Sequence, residues 1–246
     1  MNDAIAWLEP EWTAARRVRV VSTLRTGGAS GGAYASLNLA AHVGDDPDDV
    51  RENRRRLGEA LGLPSEPLWL DQVHGCDVVA HRGQAGVPRA DAAVATSSGR
   101  VCAVMTADCL PVVLADREGT RVAVAHAGWR GLAGGVVEAT VAALGGDPAE
   151  LVAWLGPAIG QAAFEVGPEV RLAFVRRSAA AEGCFERNER GRLQADLCGL
   201  ARLALASAGV GSVHGGGWCT AADRGRFFSF RRDGVTGRMA TLAWLE

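Results

Sequence analysis

The chain has 246 residues, 48% of them hydrophobic, with 26 basic and 28 acidic side chains and a formal net charge of −2, an ordinary globular balance with ample material for a core. A chain this close to neutral offers no electrostatic case for a nucleic-acid or membrane-surface partner, which needs a basic stripe. Every one of the 26 basic residues is arginine, which excludes lysine Schiff-base chemistry and the lysine-dependent phosphate loop.

Residues 18–24 alternate in polarity and predict the first strand. Asp46 followed by Pro47 reads as a helix N-cap with proline at the first helical position. Asp48, Asp49 and Glu52 suit the positive end of that helix, Val50, Leu57 and Leu61 recur at helical spacing, and Gly62 is a stop. Apolar runs of strand length follow at 67–73, 77–81, 101–106, 111–115 and 121–127, and the turn-like 116–120 joins the last two as a hairpin. A small, apolar helix is predicted over 131–144, a strand over 151–155, helices over 166–177 and 196–208, the latter capped by Asp196, and strands over 212–218 and 239–245. Between those last two strands, Phe227-Phe228-Ser229-Phe230 reads as an aromatic strand running into Arg231 and Arg232. Hairpin-clustered strands with interspersed helices predict a mixed α/β (α+β) fold with largely antiparallel sheets, not a regular βαβ winding. No repeat, low-complexity tract or linker divides the chain, so a single domain over residues 1–246 is expected.

The opening residues show no basic segment followed by an apolar one, and no apolar run has the length of a bilayer crossing, so a cytoplasmic setting is expected. Cys76, Cys102, Cys109, Cys184, Cys198 and Cys219 form no CxxC pair and read as reduced thiols, mostly buried as small apolar residues.

Three residues at predicted strand ends could bind a metal. His126 closes the strand 121–127, and the period of two puts it on the face of Val122 and Val124. Cys109 lies in Thr106-Ala107-Asp108-Cys109-Leu110-Pro111, where Pro111 must break or bend the strand pairing. His74 follows the run that ends at Val73. Such a trio fits a catalytic zinc, which keeps one coordination position open. The separations of 35 and 17 residues match no short ligand pair, so the residues alone leave a plainer alternative standing, in which all three are satisfied core side chains. His42 and His81 belong to no visible constellation, and His214, before Gly215-Gly216-Gly217, reads as structural.

Other segments are equally two-sided. At Ala127-Gly128-Trp129-Arg130-Gly131, free N–H groups and a guanidinium would suit an anion such as phosphate, or the glycines merely allow a tight turn around a core tryptophan. The segment 26–39, with Tyr34, Ser36 and Asn38, is either a functional loop or a disordered crossover. The aromatics before Arg231 could stack on a base or belong to the core. The chain has no GxGxxG or GxxxxGK[ST] motif, and its GxSxG match, Gly28-Ala29-Ser30-Gly31-Gly32, lies in the 26–39 loop and not at a strand-to-helix turn, which argues against a dinucleotide-binding dehydrogenase, a P-loop enzyme and an α/β-hydrolase.

Taken together, several motifs resemble those of the laccase-domain family, whose members are variously described as polyphenol oxidase, purine nucleoside phosphorylase or peptidoglycan editing factor. They are Gly27-Gly28 with Ser36-Leu37-Asn38-Leu39, His42-Val43-Gly44-Asp45, Glu52-Asn53-Arg54, Asp71-Gln72-Val73-His74-Gly75, Thr106-Ala107-Asp108-Cys109-Leu110-Pro111, Ala125-His126-Ala127-Gly128-Trp129-Arg130-Gly131, Leu155-Gly156-Pro157-Ala158-Ile159 and Phe228-Ser229-Phe230-Arg231-Arg232-Asp233. They run nearly end to end in the family's order. Phe230 departs from the pattern, since Tyr or His is common there, and a lost polar group bears on substrate preference.

The resemblance implies an α/β/β/α layered fold, a metal held by His74, Cys109 and His126, and a functional need for Arg231. It implies zinc, with copper the alternative, and phosphorolysis of purine nucleosides such as inosine or adenosine. Methylthioadenosine cleavage and adenosine deamination are related activities. On this reading Cys109, Asp108 and Arg231 are the candidate catalytic residues and Asn38 and Arg130 the candidate substrate contacts. The partners are a nucleoside and phosphate, and the expected state is a monomer. Three rival functions remain. One is hydrolytic editing of a peptidoglycan precursor by the same metal site. A second is copper-dependent polyphenol oxidation, for which one His/Cys/His site and five histidines are few. The third is a non-enzymatic module stabilised by zinc, which would need a fourth protein ligand.

Overall fold

A computed structural model describes residues 4–246; of the expected domain 1–246, residues 1–3 lie outside the described residues. In chain order the elements are β1 (Trp7–Leu8), β2 (Val18–Thr23), α1 (Pro47–Leu61), β3 (Val78–Ala80), β4 (Ala92–Ala95), β5 (Cys102–Thr106), β6 (Leu110–Asp116) and β7 (Val122–Ala127). There follow α2 (Trp129–Gly134), α3 (Val136–Leu144), β8 (Leu151–Leu155), β9 (Glu165–Val166), α4 (Pro168–Val175), β10 (Phe185–Arg187), β11 (Leu193–Ala195), α5 (Leu197–Ser207), β12 (Ser212–Gly215), α6 (Phe230–Asp233) and β13 (Met239–Leu245). One sheet runs β1-β2-β13-β5, a second β12-β8-β6-β7-β4-β3, and a small third β10-β11-β9. Only the outer pairs of the second sheet, β12–β8 and β3–β4, are parallel; the other ladders are antiparallel, as the hairpin-like spacing predicts.

Side-chain alternation explains the layering. In β6, Leu110, Val112 and Leu114 meet α3 and α5, while Val113 and Ala115 meet the first sheet. In β7, Ala123, Ala125 and Ala127 take the helix side and Val122 and Val124 the sheet side. Two faces that must both be buried give the near-continuous apolar runs of these strands. On the far side of the first sheet, Val21, Ala103, Leu242 and Trp244 pack with Leu57 of α1. The order is helix, sheet, sheet, helix, in agreement with the layering that the resemblance implies.

Local signals place α1 well. Asp46 accepts the Asp48 N–H at 2.8 Å, Pro47 sits in the first turn, and Gly62 closes the helix at φ 57°, a left-handed geometry in which glycine has no Cβ to clash.

Four expectations need correction. The segment 67–73 is not a strand: Leu68, Trp69 and Leu70 are buried, yet only single bridges form, Leu68 to Cys102 and Asp71 to Arg89. Its apolarity reports burial between layers rather than a ladder. The helix expected over 131–144 is two, starting at Trp129 and broken at Gly135, φ 104°. The helix expected over 166–177 starts at Pro168, and Val166 ends a strand. Phe227 and Phe228 are fully buried but outside any strand; Ser229 accepts the Arg232 N–H at 3.2 Å and caps α6. The sequence reading missed β4, because Ala-Ala-Val-Ala carries weak strand propensity, and the third sheet, whose strands have two or three residues. The loop 26–39 is pinned by the fully buried Asn53, which accepts the Ala29 N–H at 2.6 Å and donates to the Ser30 hydroxyl and the carbonyls of Ser36 and Asn38. No helix among the described residues is long and apolar enough to cross a membrane.

Candidate metal centre and its cavity

Strand register alone gathers most of this site. β6 pairs with β7 so that Leu110 faces Ala127 and Pro111 faces His126, which brings Cys109, one residue before the ladder, to Gly128. β4 pairs with the other edge of β7, Ala92 facing Ala125, so Asp91 comes opposite His126 and its carbonyl accepts the His126 N–H at 2.7 Å. His126 continues the alternation of Val122 and Val124 on the inter-sheet face and is 3% exposed. A hairpin separation of 17 residues thereby becomes a side-chain contact.

His74 arrives from a third segment. Its backbone is left-handed, φ 60°, a strained state for a residue with a Cβ. The fully buried Asp91 carboxylate holds that turn by accepting the N–H groups of Val73, His74 and Gly75 at 3.2, 2.9 and 2.7 Å. The same carboxylate accepts from Nδ1 of His126 at 2.8 Å, which leaves Nε2 as the lone-pair side of that ring. The two imidazoles meet edge to face, centroids 4.7 Å apart, and the Cys109 sulfur lies 3.7 Å from Nε2 of His74.

One donor atom from each of His74, Cys109 and His126 lies within 4.8 Å of the others, so the group could hold a metal ion. Two further observations support that fit. A Cβ on Gly128 would come within 2.8 Å of the Cys109 sulfur and 2.9 Å of His74 Cδ2, so the glycine keeps the cradle clear. Protons compete for the same site. Burial pushes the Cys109 thiol up, but the imidazoles of His126 and His74 outweigh it and bring it down to about 6. Burial depresses His126, but the Cys109 thiolate and the Asp91 carboxylate carry it up to about 9. A thiolate held against imidazoles is a cation-seeking arrangement.

The trio opens into a cavity of about 440 Å³. Arg130, Arg231 and Arg238 supply guanidiniums, and Trp129, Phe164 and Phe230 supply aromatic faces. No carboxylate lines it among the described residues.

Of the sequence-predicted residues, His74, Cys109, His126, Arg130 and Arg231 converge on this cavity. Asn38 does not: it is fully buried, donates to the Ala40 carbonyl and the Asp45 carboxylate, and accepts the N–H groups of Ala40 and Arg238. Asp108 also faces away, 8% exposed at φ 90°, with its two oxygens taken by the Thr220 hydroxyl at 2.6 Å and the Arg231 N–H at 2.7 Å. His42, assigned to no constellation from sequence, lines the cavity, as do Gln72 and Arg238. His81 and His214 do not; Nδ1 of His81 accepts the Gly83 N–H and His214 contacts the Ser212 hydroxyl. Asp91 was missed altogether. Its one signal is a lone acid at the mouth of an alanine-rich run, legible only once that run is known to be a strand beside β7.

Comparisons with known proteins agree with this architecture. The family model described as multi-copper polyphenol oxidoreductase laccase matches residues 19–246. A purine nucleoside phosphorylase of Pseudomonas aeruginosa is 55% identical over 242 residues, 98% of this chain and 99% of the relative. The purine nucleoside phosphorylase YfiH of Escherichia coli is 52% identical over 237 residues, 96% of this chain and 97% of the relative. Among solved structures, a Neisseria meningitidis protein superposes with a TM-score of 0.93 at 50% identity, covering 98% of this chain and 99% of that one. YlmD from Geobacillus stearothermophilus superposes at 0.90 with 31% identity, covering 100% and 98%. With matches of this extent, the chain belongs to the enzyme family described as multi-copper polyphenol oxidoreductase laccase.

Proposed function

We propose that the chain is a zinc-dependent purine nucleoside phosphorylase, acting in the cytoplasm as one domain, that cleaves inosine or adenosine with phosphate to the free base and ribose 1-phosphate. The observation that carries this reading is a three-ligand centre opening into a cavity of arginines and aromatic rings with no carboxylate in its lining. An anionic co-substrate meets complementary charge there, and a purine meets rings on which to stack. The names of the relatives point the same way. Among the described residues no fourth His, Cys, Asp or Glu joins the trio, which favours an open, catalytic position over a structural site. Bound zinc would supply Lewis acidity toward a substrate oxygen or water.

The protein's own groups have distinct tasks. His74, Cys109 and His126 present the donors, and Asp91 fixes the tautomer of His126 and the turn of His74. Arg130 and Arg231, both exposed at the cavity, contact the nucleoside. Asp108 braces the Arg231 main chain, one oxygen accepting its N–H and the other the Thr220 hydroxyl. Methylthioadenosine would be cleaved by the same scheme.

The test is inosine turnover by the purified protein with and without phosphate, following hypoxanthine and ribose 1-phosphate. Both products should form only with phosphate, and Cys109→Ala should abolish them. Hypoxanthine released equally well without phosphate contradicts the reading.

A further inference from the structure

We propose that the phosphate co-substrate is seated by Arg238, on the cavity wall near Cys109, rather than by the two arginines that the sequence motifs single out. The assignment rests on the phosphorylase reading and deepens it. Arg238 is half-buried, lines the cavity, and has no carboxylate within ion-pair distance among the described residues. By contrast Arg232, a few residues earlier, is paired with Asp233 at 2.7 Å. A guanidinium withdrawn from water without a counter-ion is costly, and an incoming anion removes that cost. Burial pulls Arg238 below the usual arginine range, and the charges of Cys109 and Asp108 only partly offset this.

The hydrogen bonds of this half-buried residue leave it open to a ligand. Nη1 of Arg238 donates to the carbonyls of Thr236 and Gly237 at 2.9 and 3.1 Å, while Nε and Nη2 have no partner among the described residues. A planar edge is thus free for an oxyanion. Arg231 shows the same pattern, with Nη1 on the carbonyls of Ala163 and Glu165, but it is exposed, and its guanidinium lies 5.4 Å from the Phe164 centroid. Arg130 is exposed and lies 4.5 Å from the Trp129 centroid. Arg238 lies 5.9 Å from the Phe230 centroid, so what separates it from these two is its burial.

The arginine is also fixed in place. Its N–H donates to Asn38 Oδ1 at 2.9 Å, and Asn38 is fully buried. Asn38 therefore acts through Arg238 as a positioning residue. His42 also lines the cavity, and burial and the charge of Arg238 hold it below the usual histidine range.

The test is calorimetric titration of the zinc-loaded protein with inorganic phosphate, for wild type, Arg238→Met and Arg231→Met. Arg238→Met should weaken phosphate binding by roughly 10- to 100-fold, the range for a lost charge-assisted hydrogen bond. Its KM for phosphate should rise far more than its KM for inosine. A phosphate affinity within twofold of wild type, or a larger loss in Arg231→Met, overturns the assignment. Should Arg238→Met fail to fold, phenylglyoxal labelling of the wild type decides: bound phosphate should protect Arg238 more than Arg231, and equal labelling with and without phosphate overturns the proposal. Binding is read without turnover, so the two claims fail separately. A protein that binds phosphate through Arg238 yet releases base without consuming it sinks only the phosphorylase reading. Phosphorolysis with an unaltered phosphate KM in Arg238→Met sinks only the assignment.

Discussion

Asp91 receives hydrogen bonds from Val73, His74, Gly75 and His126 while fully buried, so one carboxylate orients two of the three candidate metal donors. Exchanging it for an amide removes an acceptor and forces an N–H against donors. Asp91→Asn should lower metal affinity by about 10- to 100-fold, the usual effect of losing such an outer carboxylate. Competition against a chelator measures this, and an unchanged affinity would refute the role. The proton balance gives a second test. With Cys109 brought down to about 6 and His126 raised to about 9, the metal-free pair carries one proton, on the imidazole, between those values. An arriving cation must expel it. Affinity should therefore rise with pH, about tenfold per unit from about pH 7 to 9, and calorimetry in buffers of differing ionisation enthalpy should count one proton released per ion. A flat profile contradicts the thiolate–imidazolium pair.

At the scale of elements, the β6–β7 hairpin and the residue that follows it set the centre. Gly128 stands where any Cβ would meet the Cys109 sulfur, so Gly128→Ala should strip the site of metal while leaving the strand ladders intact. Metal content and far-ultraviolet circular dichroism check the two halves; full metal occupancy in the variant would contradict the close approach. This hairpin was readable from sequence, because Val122, Val124 and His126 keep a strict alternation and 116–120 is rich in turn residues. The Asp46–Gly62 helix was readable from its caps. β4 was not, since four small residues carry neither periodicity nor propensity, and without β4 the partner of His126 has no visible address. Asn38 misled for a related reason. A polar residue in a glycine-rich loop looks like a ligand contact, and only tertiary packing reveals that each of its hydrogen bonds stays inside the protein.

At the scale of the whole molecule, the layered order follows from strands apolar on both faces, and residues alone predicted a mixed, largely antiparallel α/β fold. What they could not supply is convergence. His74, Cys109 and His126 come from an exposed turn, the residue before β6 and the end of β7, and their separations follow no local rule. The family resemblance named them, and the two ladders flanking β7, with the Asp91-held turn at His74, explain why they meet. X-ray absorption spectroscopy on the protein purified without added metal tests that convergence most directly. The account predicts zinc bound by one sulfur and two imidazole nitrogens, with a light atom from solvent or substrate completing the set. A spectrum without sulfur, or one with four protein ligands, would contradict it.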